Sequence, residues 1–184
     1  MLRRCGGTPI LLETWAYRAP TKGSDDLGEH AEFTASLQEG YREYAAALAA
    51  ALPPEMQPRV APVGTAFLAV RELRKKLWRE LFHTDGVHPS PLGSYLEGLV
   101  IYATVFGSLP SAAASVPDDP SYLWARARRM QPANAPPNRL PTVEEMNFLR
   151  GVAAKVCAVP DDSPKVRPVM QFTLTLTLIL ALEP

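Results

Sequence analysis

Residues 8–17, TPILLETWAY, form a short apolar run that decides the fold class. The run is rich in aliphatic and aromatic side chains, with Gly6 and Gly7 before it and Pro20 after it. A short, continuous apolar run between turn residues is typical of a strand that is buried in a parallel sheet. The sequence therefore predicts that an α/β fold begins with a strand at 8–17.

The segments after this run alternate between helical and strand patterns. Large apolar side chains recur every three or four residues over 33–52, which predicts an amphipathic helix that ends at Pro53 and Pro54. RVAPV at 59–63 predicts a second short strand, and the helical spacing returns over 67–81. Strands that alternate with helices indicate a parallel sheet covered by helices.

A third helix has clear signals at both ends. Ser90 is a residue type that caps helices, and Pro91 suits the first helical position because no amide hydrogen is needed there. Gly107 is a typical residue to end a helix. The sequence predicts a helix that begins at Pro91 and ends before Gly107.

Beyond residue 108 many prolines separate short segments. The whole chain contains 19 prolines in 184 residues, which is nearly twice the usual share of about 5%. A helix is predicted at 142–156, where Thr142 and Glu145 form a capping-box pattern. Apolar residues alternate mainly with threonine over 172–182, and this period of two predicts a strand.

These patterns divide the chain into two parts. Residues 1–110 hold the predicted strand–helix units, and residues 111–184 form a proline-rich extension with one helix and one strand. Two strands alone cannot make a sheet that is covered by helices on both faces. We therefore expect further strands in the complete fold.

The charge balance narrows the classes of partner. The chain has 19 basic and 19 acidic residues and a formal net charge of zero. It lacks long runs of like charge, which argues against a nucleic-acid surface and against a polybasic membrane anchor. Small molecules or other proteins are the expected partners.

Neither the termini nor the cysteines indicate a compartment. Residues 1–16 lack the apolar core of a signal peptide, and the uncharged segment 169–182 is shorter than the roughly 20 residues of a membrane helix. Cys5 and Cys157 do not have metal-ligand spacing, and one pair is not a disulfide framework. We predict no signal peptide and no membrane span, and the localisation stays open.

Two histidines and an aspartate lie close together in FHTDGVHPSPLGSYLEG, residues 82–98. One interpretation is a metal site, because His83, Asp85 and His88 are residue types that bind zinc and other divalent ions. A second interpretation is a solvated loop in which Asp-Gly forms a turn and the histidines are incidental. The residues alone leave both open.

A third interpretation makes Asp85 and His88 an acid–base pair. In a Ser-His-Asp triad, the aspartate accepts a hydrogen bond from one ring nitrogen of the histidine, and the other nitrogen takes the proton of the nucleophile. Active sites in open α/β sheets lie outside the carboxyl ends of the strands. A loop that follows a strand–helix unit suits this role.

A longer stretch around these residues resembles the SGNH (GDSL-type) hydrolases. DGVHPSP at 85–91, followed by GSYL at 93–96 and by the helix through VIYATVFGSLP at 100–110, is similar to the last conserved block of that family. LLETWAYR at 11–18 and RVAPVGTAF at 59–67 resemble the regions of its fourth and fifth strands, in the same order. The resemblance covers about residues 8–110, and it favours the acid–base interpretation.

The resemblance implies a fold and a function. Family members are three-layer α/β/α proteins with a flavodoxin-like parallel sheet, and they hydrolyse esters of lipids, acylated sugars or small molecules. By position, Asp85 is expected to be the orienting acid and His88 the general base, with a small-molecule ester as substrate and with no cofactor or metal. Trp15 and Tyr17 end the first predicted strand, so they either line an acyl or sugar pocket or pack in the core.

Two parts of the family pattern have no counterpart in this sequence. The nucleophilic serine of the family lies in a Gly-Asp-Ser block after the first strand, and an oxyanion block has the form Gly-x-Asn-Asp; neither motif occurs here. In the family both parts precede the region that resembles 8–17. The sequence thus resembles the C-terminal half of the domain, truncated at its N-terminus.

Two functions are consistent with this incomplete pattern. The first is ester hydrolysis that depends on a nucleophile from another segment. The second is a non-catalytic remnant or interaction module, in which the sheet edge left by missing strands pairs with another chain. The predicted strand at 172–182 is a further candidate to occupy that edge.

Overall fold

A computed structural model describes residues 7–18, 27–115, 139 and 141–160. The predicted strand at 172–182, Cys5 and most of the proline-rich extension lie outside these residues. No helix in the described part of the chain is long and apolar enough to cross a membrane. In chain order the elements are strand β1 (Ile10–Leu12), helix α1 (His30–Ala51), a 3-10 helix (Pro54–Met56), strand β2 (Arg59–Ala61), and helices α2 (Val63–Leu73), α3 (Lys75–Glu80), α4 (Pro91–Phe106), α5 (Ala112–Ser115) and α6 (Val143–Val156).

The two strands form a parallel pair. Ile10 lies opposite Arg59, and Leu12 lies opposite Ala61. Helix α1 makes the crossover that parallel neighbours require. The predicted α/β class and the parallel pairing are confirmed, with a sheet of two strands in the described residues.

A buried carboxylate at the end of β1 holds the beginning of α2. The side chain of Glu13 is buried, and its Oε1 accepts hydrogen bonds from the backbone N–H and the hydroxyl of Thr65, both at 2.7 Å. Pro62, the residue before α2, supplies no side-chain cap. Glu13 therefore caps α2 from another element and places a negative charge at the positive end of the helix.

The same junction requires a glycine. A Cβ at Gly64 would lie 2.1 Å from the carbonyl oxygen of Thr14, which is far below any normal contact. The backbone N–H of Gly64 also donates to the carbonyl of Glu13 at 3.1 Å. These contacts turn the chain away from the sheet after Leu12, so β1 is shorter than the apolar run 8–17.

The helix predicted over 67–81 is two helices, which corrects the expectation of a continuous one. The backbone of Arg74 leaves the helical region at φ −142° and ψ 73°. Its guanidinium lies 4.1 Å from the centre of the Phe148 ring and bonds Glu144 on α6 at 3.2 Å. The apolar spacing continues through the break, so periodicity alone does not reveal it.

Helix α4 begins and ends where the sequence predicts. The Ser90 hydroxyl accepts hydrogen bonds from the backbone N–H groups of Leu92 and Gly93 and donates to the carbonyl of Glu80. Gly107 ends the helix with φ +70°, a left-handed conformation that favours glycine. Both local predictions are confirmed.

The core lies where α4 meets α2, α6 and the strands. The predicted helix at 142–156 is confirmed as α6, with both hydrogen bonds of the capping box between Thr142 and Glu145. Helix α1 packs more loosely on α2 and β2: Thr34 is its one buried residue, and Tyr44 is 58% exposed. The largest buried apolar residues of the core include Phe67, Val70, Leu81, Leu96, Val100 and Leu149.

The first residue of α1 is anchored by an aromatic contact. The His30 ring meets the Trp78 ring edge to face, with centroids 5.0 Å apart. Burial, together with the nearby positive charge of Arg71, lowers the pKa of His30 to about 4, and the backbone of Ala16 opposes the shift. His30 is therefore neutral in the folded protein at neutral pH.

We predict opposite effects for two Gly→Ala changes in α4. At Gly93 a new Cβ would lie 2.2 Å from the carbonyl oxygen of Leu81, so Gly93→Ala should lower the free energy of unfolding by about 1–3 kcal/mol. At Gly98 nothing lies within 4 Å of the new Cβ, and Gly98→Ala should raise it by about 0.5–1 kcal/mol. Urea unfolding measures both. Equal stability of the two variants would contradict the close approach.

We also predict that acid weakens the fold through His30. The pKa of His30 is lower in the folded state than its ordinary value of 6.5, so the unfolded chain takes up a proton first as the pH falls. Stability should therefore fall between about pH 6.5 and pH 4, by about 1 kcal/mol at pH 5 after allowance for solvent screening. Denaturant unfolding across this range should show the loss, and His30→Phe, which keeps the ring contact, should remove it.

Candidate functional site

The loop between α3 and α4 is closed at its base by backbone contacts. Phe82 and Pro89 form an antiparallel bridge, and the N–H of His83 donates to the carbonyl of His88 at 2.8 Å. At the tip, Gly86 has φ +73° and its N–H donates to the carbonyl of His83 at 3.0 Å. The loop is thus a tight, hydrogen-bonded turn.

Asp85 and His88 meet inside this turn. Oδ2 of Asp85 lies 2.7 Å from Nδ1 of His88. The other carboxylate oxygen, Oδ1, accepts from the backbone N–H groups of Val87 at 2.9 Å and His88 at 3.0 Å. Three hydrogen bonds from a four-residue segment therefore fix the carboxylate at the Nδ1 edge of the imidazole.

The electrostatics of the pair keep the aspartate charged. The hydrogen bond from His88 is the main cause that lowers the pKa of Asp85 to about 2, and the N–H of Val87 contributes. An ionised carboxylate accepts only, so the hydrogen-bond network assigns the proton of neutral His88 to Nδ1. Nε2 then carries the lone pair of a base, on an imidazole whose side chain is 78% exposed.

Trp15 connects this turn to the core. Its Nε1–H donates to the carbonyl of Val87 at 2.9 Å. Its ring stacks on Phe67 of α2, with centroids 4.7 Å apart and an angle of 12°. Because the indole contacts both Val87 in the turn and Phe67 in α2, it fixes the position of the turn relative to α2.

Arg18 provides a second set of contacts to the same turn. Its backbone N–H donates to the carbonyl of Gly86 at 2.8 Å, and its guanidinium donates to the carbonyls of Thr84 at 3.1 Å and Arg79 at 3.3 Å. Arg18 is a contact residue that the sequence does not predict. The sequence around an arginine does not show whether its side chain binds a distant loop or is exposed to solvent.

The aromatic pair that was predicted to line a pocket has packing contacts. Trp15 makes the contacts given above, and the Tyr17 ring meets the Phe33 ring edge to face at 5.4 Å. Both side chains are half-buried. A substrate-binding role for Trp15 and Tyr17 stays a prediction.

The structure bears differently on the other two interpretations: Asp85 and the glycine after it do form a turn, with Asp85 exposed, as the second one expects, whereas the described residues give no support to a metal site. Nδ1 of His83 lies 3.1 Å from the hydroxyl of its neighbour Thr84, and no three side chains of metal-binding type come together among the described residues. The hydroxyl of Ser90, two residues from His88, is engaged in the helix cap. The arrangement that the residues do form is a hydrogen-bonded Asp–His pair.

No known protein family, curated protein or solved structure matches the chain. The similarity of 82–98 and its flanks to the SGNH hydrolases therefore remains a prediction from the sequence. The observed contacts of the turn are therefore the structural basis for a proposal of function.

We predict that His88 controls the titration of Asp85. Because the hydrogen bond from His88 is the main cause of the lowered pKa, His88→Ala should raise the pKa of Asp85 from about 2 toward its ordinary value of 3.8. The ¹³C shift of the Asp85 carboxyl measures this in an NMR titration. His83→Ala, in the same loop, is the control and should leave the value unchanged; an equal rise in both variants would contradict the pairing.

Proposed function

We propose that Asp85 and His88 are the acid–base pair of a serine hydrolase of the SGNH type that acts on carboxylic esters. One observation carries the proposal: the 2.7 Å contact between Oδ2 of Asp85 and Nδ1 of His88, with the imidazole exposed to solvent. A triad requires an orienting carboxylate on one ring nitrogen and access to the other. The pair meets both requirements.

The chemistry of such a pair is a proton transfer. Nε2 of His88 takes the proton of a hydroxyl while that oxygen attacks the ester carbonyl, and it then gives the proton to the leaving alkoxide. Asp85 stays ionised, stabilises the imidazolium that forms and keeps the ring in one tautomer. The low pKa of Asp85 supports this role, because the carboxylate does not compete for the proton.

The proposal requires a nucleophile and oxyanion donors from a segment outside the described residues. Ser90 is occupied by the helix cap, and none of the described serines lies in a Gly-Asp-Ser setting.

We propose further that β1 and β2 belong to a larger, flavodoxin-like sheet in a three-layer α/β/α domain. The exposure of Ile10 on β1, at 37%, leaves apolar surface on a face of the sheet that further elements could cover.

A p-nitrophenyl acetate assay tests the base directly. An exposed imidazole can act on this activated ester without a serine, so the chain should hydrolyse it at neutral pH about 3- to 10-fold faster than His88→Ala does. Asp85→Asn should lose part of the same rate.

His83→Ala is the matched control and should keep the rate of the unchanged chain. If His88→Ala and the unchanged chain hydrolyse the ester equally, His88 is not a base of this kind and the proposal fails.

A second function is supported by the free strand edge. Within the described residues β1 pairs only with β2, and an unpaired edge is a template for another strand. An interaction module would bind a strand of its partner at that edge, and the Asp–His pair would have no catalytic role. A fluorophosphonate label tests for the first function: stable labelling of a serine, lost in His88→Ala, favours the hydrolase and shows that this chain supplies the nucleophile despite lacking a Gly-Asp-Ser motif.

A further inference from the structure

A cluster of unpaired polar atoms lies away from the Asp–His pair. Among the described residues, five buried side-chain nitrogen or oxygen atoms have no hydrogen-bond partner, and four of them belong to His30, Arg71 and Trp78. They are both ring nitrogens of His30, Nε of Arg71 and Nε1 of Trp78. Native proteins pair nearly all buried polar groups, so four in one cluster require an explanation.

His30 and Arg71 both contact Trp78, although the three residues come from three helices. Trp78 on α3 is 5% exposed, and its ring is the centre of the cluster. The His30 ring approaches it edge to face at 5.0 Å, and the guanidinium carbon of Arg71 lies over it at 5.5 Å. The unpaired atoms therefore surround one indole.

The chemistry of these atoms selects a hydrogen-bond acceptor. The indole N–H and the Nε–H of arginine can only donate, and neutral histidine adds one N–H donor. None of the described acidic side chains forms an ion pair with Arg71, whereas Arg42, Arg74 and Arg139 all have such partners. The three side chains thus hold a positive charge and three unpaired N–H donors against a single acceptor, the second ring nitrogen of His30.

The positive charge favours an anion over water. Nε and one terminal nitrogen of a guanidinium form a fork that matches the two oxygens of a carboxylate. Arg71 and His30 are half-buried, so part of each side chain is open to solvent, while Trp78 is buried. A larger ligand would displace the ring contacts.

We infer that His30, Arg71 and Trp78 form a binding site for a small carboxylate anion. In this site the guanidinium of Arg71 holds the carboxylate side-on, and the indole N–H of Trp78 donates to one of its oxygens. None of these residues belongs to the Asp–His pair, so the site does not depend on the proposed hydrolase function.

Acetate is the probe, and the indole N–H signals provide the measurement. In ¹H–¹⁵N spectra of the full chain, increasing sodium acetate at constant ionic strength should move the Trp78 indole signal downfield along a saturable curve. The Trp15 indole is already bonded to Val87 and should not move. Sodium chloride in place of acetate separates the carboxylate effect from ionic strength.

Two variants and a control assign the effect. Trp78→Phe removes the donor, and Arg71→Lys keeps the charge but loses the fork; each should weaken acetate binding about 10-fold or more. Arg74→Lys is the control, because Arg74 is already paired with Glu144, and it should bind acetate like the unchanged chain. If Trp78→Phe does not fold, Arg71→Lys still tests the site.

Thermal unfolding gives an independent measurement. At a tenfold excess over its dissociation constant, acetate should raise the Tm of the unchanged chain by about 3–5 °C, and the rise should fall to about 1 °C or less in Arg71→Lys. A Trp78 indole signal that acetate leaves in place, or that chloride moves equally, would overturn the inference and leave water as the partner of these atoms.

Discussion

The buried carboxylate of Glu13 holds together the point where β1, β2 and α2 meet. It accepts two hydrogen bonds from Thr65, at 2.7 Å each, and thereby caps a helix that has no side-chain cap from its own preceding residue. The missing Cβ of Gly64 lets the helix start touch the backbone of Thr14. Every element that supports the candidate site is built on this junction, because it fixes α2 relative to the end of β1.

The side chain of Trp15 connects the Asp–His turn to that junction. Trp15 follows Glu13 and Thr14 in the chain, stacks on Phe67 of α2 and bonds the turn at Val87. The turn itself holds Asp85 and His88 through contacts within four residues. The pair is therefore formed by local contacts, and the core determines where the pair lies relative to α2.

Much of the fold could be predicted where the signal is local. Three helix ends were predicted correctly from contacts that span only three or four residues. They are the start of α4 at Ser90 and Pro91, its end at Gly107, and the start of α6 at Thr142 and Glu145. The break at Arg74 could not be predicted, because its partners Glu144 and Phe148 lie about 70 residues further along the chain. The role of Arg18 was missed for the same reason.

The sequence by itself determined both ends of α4, the start of α6, the parallel strand pair and the spacing that brings Asp85 to His88. These features follow from hydrogen bonds between near neighbours and from the periodicity of apolar residues, both of which can be read along the chain. Only the tertiary structure decided that Glu13 caps α2, that Trp15 supports the turn, and that His30, Arg71 and Trp78 meet with unpaired donors. Those contacts join residues far apart in sequence, so they exist only once the helices have packed.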